Sequence, residues 1–283
     1  MSEHRPGSAL LPAAMVLAGQ FSVTLGAAVA KHLFPVIGVE GMTAYRVGFA
    51  ALLLLSIVRP WRMPLARRDA LNLAIYGSVM GLMNLLIYRA FNLIPIGIAI
   101  AIEVAGPLTV AVLGSRRPRD VAVVVCAAAG LYFLLPLRDR PGQLDPVGVA
   151  YAAGAAVCWA SYIIFGKRVS SLRGGQAVSW GMLAAAVLNV PLGVAYAGAA
   201  LLSPPLVLQG LVIAVLSSVV PYSLEMVALG RVPARAFGML SSTAPAVGAV
   251  VGVVVLGEHL TLTQYLAIGS MVLASALASL PAK

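Results

Sequence analysis

Glu103 is the tenth residue of the apolar run Ile94–Gly114, and Pro107 follows it by four positions. Proline has no N–H and breaks the helical bond to the carbonyl four residues back. Pro107 therefore frees the carbonyl of Glu103, and Pro245 frees that of Ser241 in the run Ala236–Leu256. The two places are equivalent, because Ala90-x4-Pro95-x11-Pro107 recurs as Ala228-x4-Pro233-x11-Pro245, offset by 138 residues. A carboxylate, a hydroxyl and two unpaired carbonyls are expected deep in apolar segments, with Gly106 thinning the wall beside Pro107. Such groups must face a cavity or a partner. A carboxylate so placed can carry a proton or bind an ammonium group; its structural alternative is a neutral Glu bonded to a neighbouring helix. Interrupted helices at corresponding places in two halves point to a transporter's substrate site.

Further candidates lie in the other runs. Arg46, near the start of Gly41–Val58, either stretches to the interface or binds a substrate carboxylate. Glu225 lies in Pro221-Tyr-Ser-Leu-Glu-Met226, near the end of Leu206–Leu229. It either serves the site or pairs with Arg231 or Arg235. Tyr222, Ser241, Thr243 and Tyr162 are expected to tune the fit of a substrate, and Trp159, Asn84 and Tyr88 to line a cavity. Lys31 and His32 fit an anchor at a helix end. No run contains Asp, and His4, His32 and His259 all lie at ends or in loops, which leaves no aspartyl dyad, no metal site and no deep Ser–His pair. No Walker loop and no channel filter are present. Cys126 and Cys158 have no metal spacing and fit helix packing. The expectation is a protein that is not an enzyme and needs no cofactor.

These residues need elements that can hold them in lipid. The chain is 61% hydrophobic and 10% charged, with a mean hydropathy of +0.98, which excludes a soluble globular domain. A spanning helix takes about 20 apolar residues. Ten runs qualify: Leu10–Ala30, Gly41–Val58, Ala70–Tyr88, Ile94–Gly114, Val121–Leu137, Val147–Gly166, Ala177–Ala197, Leu206–Leu229, Ala236–Leu256 and Leu262–Leu280. Helices satisfy their own backbone bonds in lipid, so the fold class is an all-α membrane protein. The net charge of +10 is a topology signal and does not mark a nucleic-acid binder. With ten spans, the side of the N-terminus collects Arg5, Arg59, Arg62, Arg67, Arg68, Arg116, Arg117, Arg119, Lys167, Arg168, Arg173, Arg231, Arg235 and Lys283. The other side holds Lys31, Arg89, Arg138 and Arg140, and Arg46 lies within a span. Basic loops stay in the cytoplasm, which puts both termini there.

The repeat divides the chain into residues 1–145 and 146–283, with five spans in each. Five is odd, so the second half enters the membrane from the opposite side, as in inverted-repeat transporters. Gly77-x3-Gly81 and Gly248-x3-Gly252 match the small-xxx-small pattern. They fit packing within the bundle, with a homodimer as the sharper alternative. Thr261-x-x-Gln264 fits a capping box, with Gly257 ending the helix before it. Ala28-Val29-Ala30 after an apolar run resembles a signal-peptide cleavage site, but the run is too long and cleavage would unbalance the halves.

The chain resembles EamA-type members of the drug/metabolite transporter superfamily, and among them the bacterial inner-membrane threonine/homoserine exporters. The matching stretches are Lys31-x-Leu-Phe-Pro35, Arg59-Pro-Trp-Arg62, Pro95-x-Gly-Ile-Ala99, Glu103-x-x-Gly-Pro-Leu108, Ser115-Arg-Arg-Pro118, Phe133-Leu-Leu-Pro-Leu137, Cys158-Trp-Ala160, Pro221-Tyr-Ser-Leu-Glu-Met226 and Leu256-Gly-Glu258. The resemblance implies export of small neutral amino acids by alternating access, driven by the proton gradient. Many members place a Glu directly before the proline of the ninth span, where this chain has Ala244-Pro245. Either Glu103 alone carries the coupling here, or the substrate differs. A broad exporter of drugs or other metabolites shares the same architecture, and a non-transporting membrane scaffold or enzyme is the distant alternative.

Overall fold

A computed structural model describes residues 7–94, 96–113, 145–172, 175–241 and 243–256, together with isolated positions at 125, 129, 262, 266 and 269. The expected fifth and tenth spans, Cys126, Gly257 and the Thr261–Gln264 box lie outside the described residues. Among the described residues every regular element is helical: α1 (Gly7–Lys31), α2 (Phe34–Val58), α3 (Arg67–Leu93), α4 (Ile96–Glu103), α5 (Ala105–Leu113), α6 (Pro146–Val169), α7 (Gln176–Ala197), α8 (Pro204–Ala214), α9 (Val220–Arg231), α10 (Ala234–Ser241) and α11 (Ala244–Leu256). A single π turn, Val215–Val219, joins α8 to α9 into one 28-residue rod, Pro204–Arg231. Seven described helices are long and apolar enough to cross a membrane, and Ile96–Ala111 adds a shorter apolar one.

Local chemistry explains the ends and breaks. Asp145 caps α6 by accepting a bond from the Val147 N–H at 2.8 Å, and Pro146 occupies the first helical turn. The second helix starts at Phe34, seven residues before the apolar run at Gly41. Pro35 stands in its first turn and Gly38, at φ +71°, takes the kink that splits it. The fourth segment breaks between Glu103 and Ala105, and the ninth between Ser241 and Ala244. In both, the first half-helix stops four residues before the proline, where the missing N–H predicts.

The helices pack through small residues. A Cβ added at Gly77 would lie 2.3 Å from the Gly181 carbonyl oxygen, and one at Gly81 2.8 Å from Ala185 Cα. The Gly77–Gly81 stripe thus seats α3 on α7 inside the bundle. The two broken segments cross: α5 packs on α10, and α4 on α11. Gly238 allows the first contact, since a Cβ there would lie 2.5 Å from the Pro107 carbonyl oxygen. At the α4–α11 contact Gly248 faces Ile100. Gly106 meets backbone, with its would-be Cβ 2.1 Å from the Ala156 oxygen on α6. The breaks are therefore held at the centre of the bundle, against α6 and against each other.

Candidate functional site

Proline also shapes the α8–α9 rod. Pro221 cannot donate to the backbone just before it, where the π turn has already widened the ladder. Two carbonyls there are served from other helices. Ser22 Oγ of α1 donates to the Leu216 oxygen at 2.5 Å, and Arg46 Nη2 of α2 donates to the Ser217 oxygen at 2.6 Å. Arg46 Nε adds a bond to Ser218 Oγ at 3.0 Å. Its guanidinium carbon sits 4.9 Å from the centroid of the Tyr88 ring and 6.0 Å from that of Tyr222. Arg46 is 2% exposed, so it does not stretch to the interface: the acceptors left by Pro221 and two aromatic faces hold it inside.

Arg46 lines one wall of a cavity shared with both carboxylates. Glu103 stands at the end of α4 and Glu225 on α9, and each is buried. The cavity measures about 70 Å³, and its polar lining also includes Gln20, Thr24, Asn84, Trp159 and Tyr222. That is space for roughly five waters, at about 10–15 Å³ each. Glu225 Oε2 accepts from the Tyr162 hydroxyl at 3.0 Å. Pairing with Arg231 or Arg235 does not occur: the ion pair formed among the described residues, Glu40 with Arg89 at 2.8 Å, lies elsewhere. Glu225 points back along α9 into the bundle, where Tyr162 of α6 meets it, while Arg231 is exposed at the helix end. Among the described residues no group hydrogen-bonds the Glu103 carboxylate, which borders the cavity.

The remaining candidates divide by place. Asn84, Trp159 and Tyr222 line the cavity. The Tyr222 hydroxyl donates to Asn84 Oδ1 at 2.9 Å, and Asn84 Nδ2 in turn donates to the Met80 carbonyl. Tyr162 backs the wall, with its ring 5.8 Å from that of Tyr222 and 5.2 Å from that of Tyr76. Tyr88 lies beneath Arg46, and its hydroxyl has no protein partner. Ser241, at the second break, is buried with an unpartnered hydroxyl and stands off the cavity lining. Thr243 reaches the site through Gln20, its Oγ1 lying 2.8 Å from Gln20 Oε1. Gln20, Thr24, Ser217 and Ser218 also belong to the site, though no motif in the sequence marks them. Gln20 gave a usable signal, a lone amide in the middle of the first apolar run. Cys158 is a buried free thiol.

The site joins a guanidinium, two carboxyl groups and several hydroxyl and amide groups within a bundle of apolar helices, and the chain that builds it matches known transporters. Residues 146–280 match the EamA-like transporter family. The chain is 45% identical over 265 residues to the threonine/homoserine exporter RhtA of Escherichia coli strain K12, covering 94% of this chain and 90% of that protein. The chain belongs to the EamA-like transporter family. RhtA of Salmonella typhimurium strain LT2 is similar to the same degree, at 45% identity over 94% of the chain. An uncharacterized transporter of Bacillus subtilis, YwfM, is 30% identical over 64% of the chain and 62% of its own length. A solved crystal structure has the same fold, with a TM-score of 0.71 at 20% identity, covering 94% of this chain and 96% of the other. The protein is accordingly a multi-pass membrane transporter and not an enzyme.

Proposed function

We propose that this EamA-family protein exports threonine, homoserine or closely similar neutral amino acids across the bacterial inner membrane. The observation that carries the proposal is the set of three buried ionisable side chains, Arg46, Glu103 and Glu225, around one cavity in a relative of the threonine/homoserine exporters. A zwitterion carries one charge of each sign. Arg46 keeps spare N–H donors for its carboxylate. Glu103, without a protein donor, receives its ammonium group or a coupling proton, and Glu225, already bonded to Tyr162, supports it. The small cavity favours a short amino acid over the drug-sized molecules of a broad exporter.

Transport runs by alternating access between two inverted five-helix repeats, residues 1–145 and 146–283. The chain has ten spans in all and both termini in the cytoplasm. Support comes from the cavity wall: the Tyr222–Asn84 hydrogen bond joins residues 138 apart, the offset of the proline repeat. A residue touches its own repeat mate only near the axis that relates the halves, so the cavity lies on that axis, where repeat transporters bind substrate. Coupling to protons falls to Glu103, since Ala244 stands where the family resemblance leads one to expect an acid. Any homodimer would use a face other than the Gly77–Gly81 stripe, which α7 occupies.

The test is counterflow of radiolabelled threonine and homoserine in proteoliposomes, with and without an imposed pH gradient, for wild type and Glu103→Gln. Gradient-driven flux in wild type, lost in the variant, is the expected result. Flux insensitive to the gradient in both proteins would remove proton coupling at Glu103, and a competition panel of drugs and metabolites would reveal a broader exporter.

A further inference from the structure

Gln20 sits in the middle of α1, 2% exposed, and lines the cavity that holds Arg46, Glu103 and Glu225. Its Oε1 lies 2.8 Å from Thr243 Oγ1, while its Nε2 is buried with no protein partner. The Thr243 hydroxyl also lies 2.7 Å from the Leu240 carbonyl. A hydroxyl has one proton to donate. If Thr243 gives it to Leu240, the Gln20 amide must turn to donate its N–H to Thr243, which leaves Oε1 as the free atom. In either orientation one amide atom of Gln20 has no protein partner. Buried polar groups are rarely left so, because an unmade bond costs more than a made one returns. Gln20 lines the cavity, so a group bound there is the nearest source of the missing partner.

We propose that Gln20, oriented by Thr243, binds the side-chain hydroxyl of the substrate and so selects hydroxyl-bearing amino acids. This rests on the exporter function proposed above. A hydroxyl both donates and accepts, so it satisfies the free amide atom whichever way the amide is turned. The two substrates after which the exporter relatives are named, threonine and homoserine, share a short side chain ending in or bearing a hydroxyl. Removing that hydroxyl from either gives the same molecule, 2-aminobutyrate. Arg46 and the carboxylates take the α-carboxylate and ammonium, and Gln20, on a different helix of the same lining, is left for the side chain. Sites built to bond a hydroxyl reject analogues that lack it, because the protein group is then stranded.

The experiment compares threonine, homoserine and 2-aminobutyrate as competitors of labelled threonine counterflow in proteoliposomes, for wild type and Gln20→Met. Wild type is expected to take the two hydroxylated substrates about tenfold or more better than 2-aminobutyrate. In Gln20→Met that ratio should collapse toward one, with threonine and homoserine falling to the level of 2-aminobutyrate. A ratio preserved in the variant would overturn the role of Gln20 and leave the exporter standing, as would a wild type indifferent to the hydroxyl. A wild type that carries none of the three would remove the exporter function and this inference with it. Detergent melting curves check folding, and if Gln20→Met fails to fold, Thr243→Val carries the same comparison, with a reduced ratio expected.

Discussion

Arg46→Lys keeps the buried charge and removes the geometry, which makes it a sharp test of how the site is held. Arg46 grips two neighbouring residues of the π turn at once, with bonds of 2.6 and 3.0 Å, and lies 4.9 Å from the Tyr88 ring centroid. A lysine ammonium is a point donor on a flexible stem and can reproduce one of these contacts. A bond from a charged donor is worth about 1.5–3 kcal/mol, although interhelical bonds in membranes average nearer 0.6 kcal/mol. The lost aromatic contact adds about 0.5–2 kcal/mol. Taking the membrane average for the lost bond and the middle of the aromatic range, the substitution should cost about 2 kcal/mol. At roughly 2–4 °C per kcal/mol, the melting midpoint should fall by about 4–8 °C. The assay is thermal unfolding of purified protein in detergent, run with Ser218→Ala and the double variant to extract their coupling. The double variant should lose less than the sum of the singles. A lysine variant that melts with wild type and shows no coupling to Ser218 would refute this account of the Pro221 break.

Three further outcomes are expected. Gly106→Ala should fold poorly, with a loss of about 3 kcal/mol or more, because its Cβ would meet the Ala156 carbonyl at 2.1 Å and backbone cannot move aside; Gly97→Ala, with nothing within 4 Å, is the matched control, and expression with size-exclusion profiles compares them. Lys167→Met should lower the melting midpoint by several degrees. Lys167 Nζ donates to the Leu229 and Val232 oxygens at 2.7 and 2.8 Å, and Pro233 leaves the Leu229 carbonyl without its helical donor. Tyr162→Phe removes the donor that Glu225 meets among the described residues, so a loss of about 1 kcal/mol in stability and a drop in threonine counterflow should appear together.

The prolines give the helical breaks of this bundle a common logic. Each removes one N–H, and at two of them the structure shows which side chain supplies the replacement. Arg46 and Ser22 serve the carbonyls before Pro221, and Lys167 serves the carbonyl before Pro233. Polar side chains on neighbouring helices thus become obligatory where the backbone is interrupted, because lipid offers no substitute donor. The same requirement draws Arg46 into the cavity wall.

What the sequence determined by itself is whatever depends on near neighbours along the chain. Apolar runs of spanning length made the helices, and the missing N–H of Pro107 and Pro245 stopped α4 at Glu103 and α10 at Ser241, since a helical bond reaches only four residues. The repeat spacing and Glu103 were equally visible, as a charge in the middle of an apolar run has no bland local explanation. The tertiary structure decided the partners. Arg46 sat close enough to a run's end to reach the interface, and only the fold brought it to Ser217, 171 residues away. Glu225 had basic residues six and ten positions downstream, yet it meets Tyr162, 63 residues upstream. Ser241 proved to stand off the cavity, and Gln20 proved to line it with an amide atom to spare. A helix fixes the direction of each side chain relative to its own axis; its rotation against the neighbouring helices comes from packing, through contacts such as Gly77 on Gly181 and Gly238 on Pro107. That rotation decides which polar groups share a cavity.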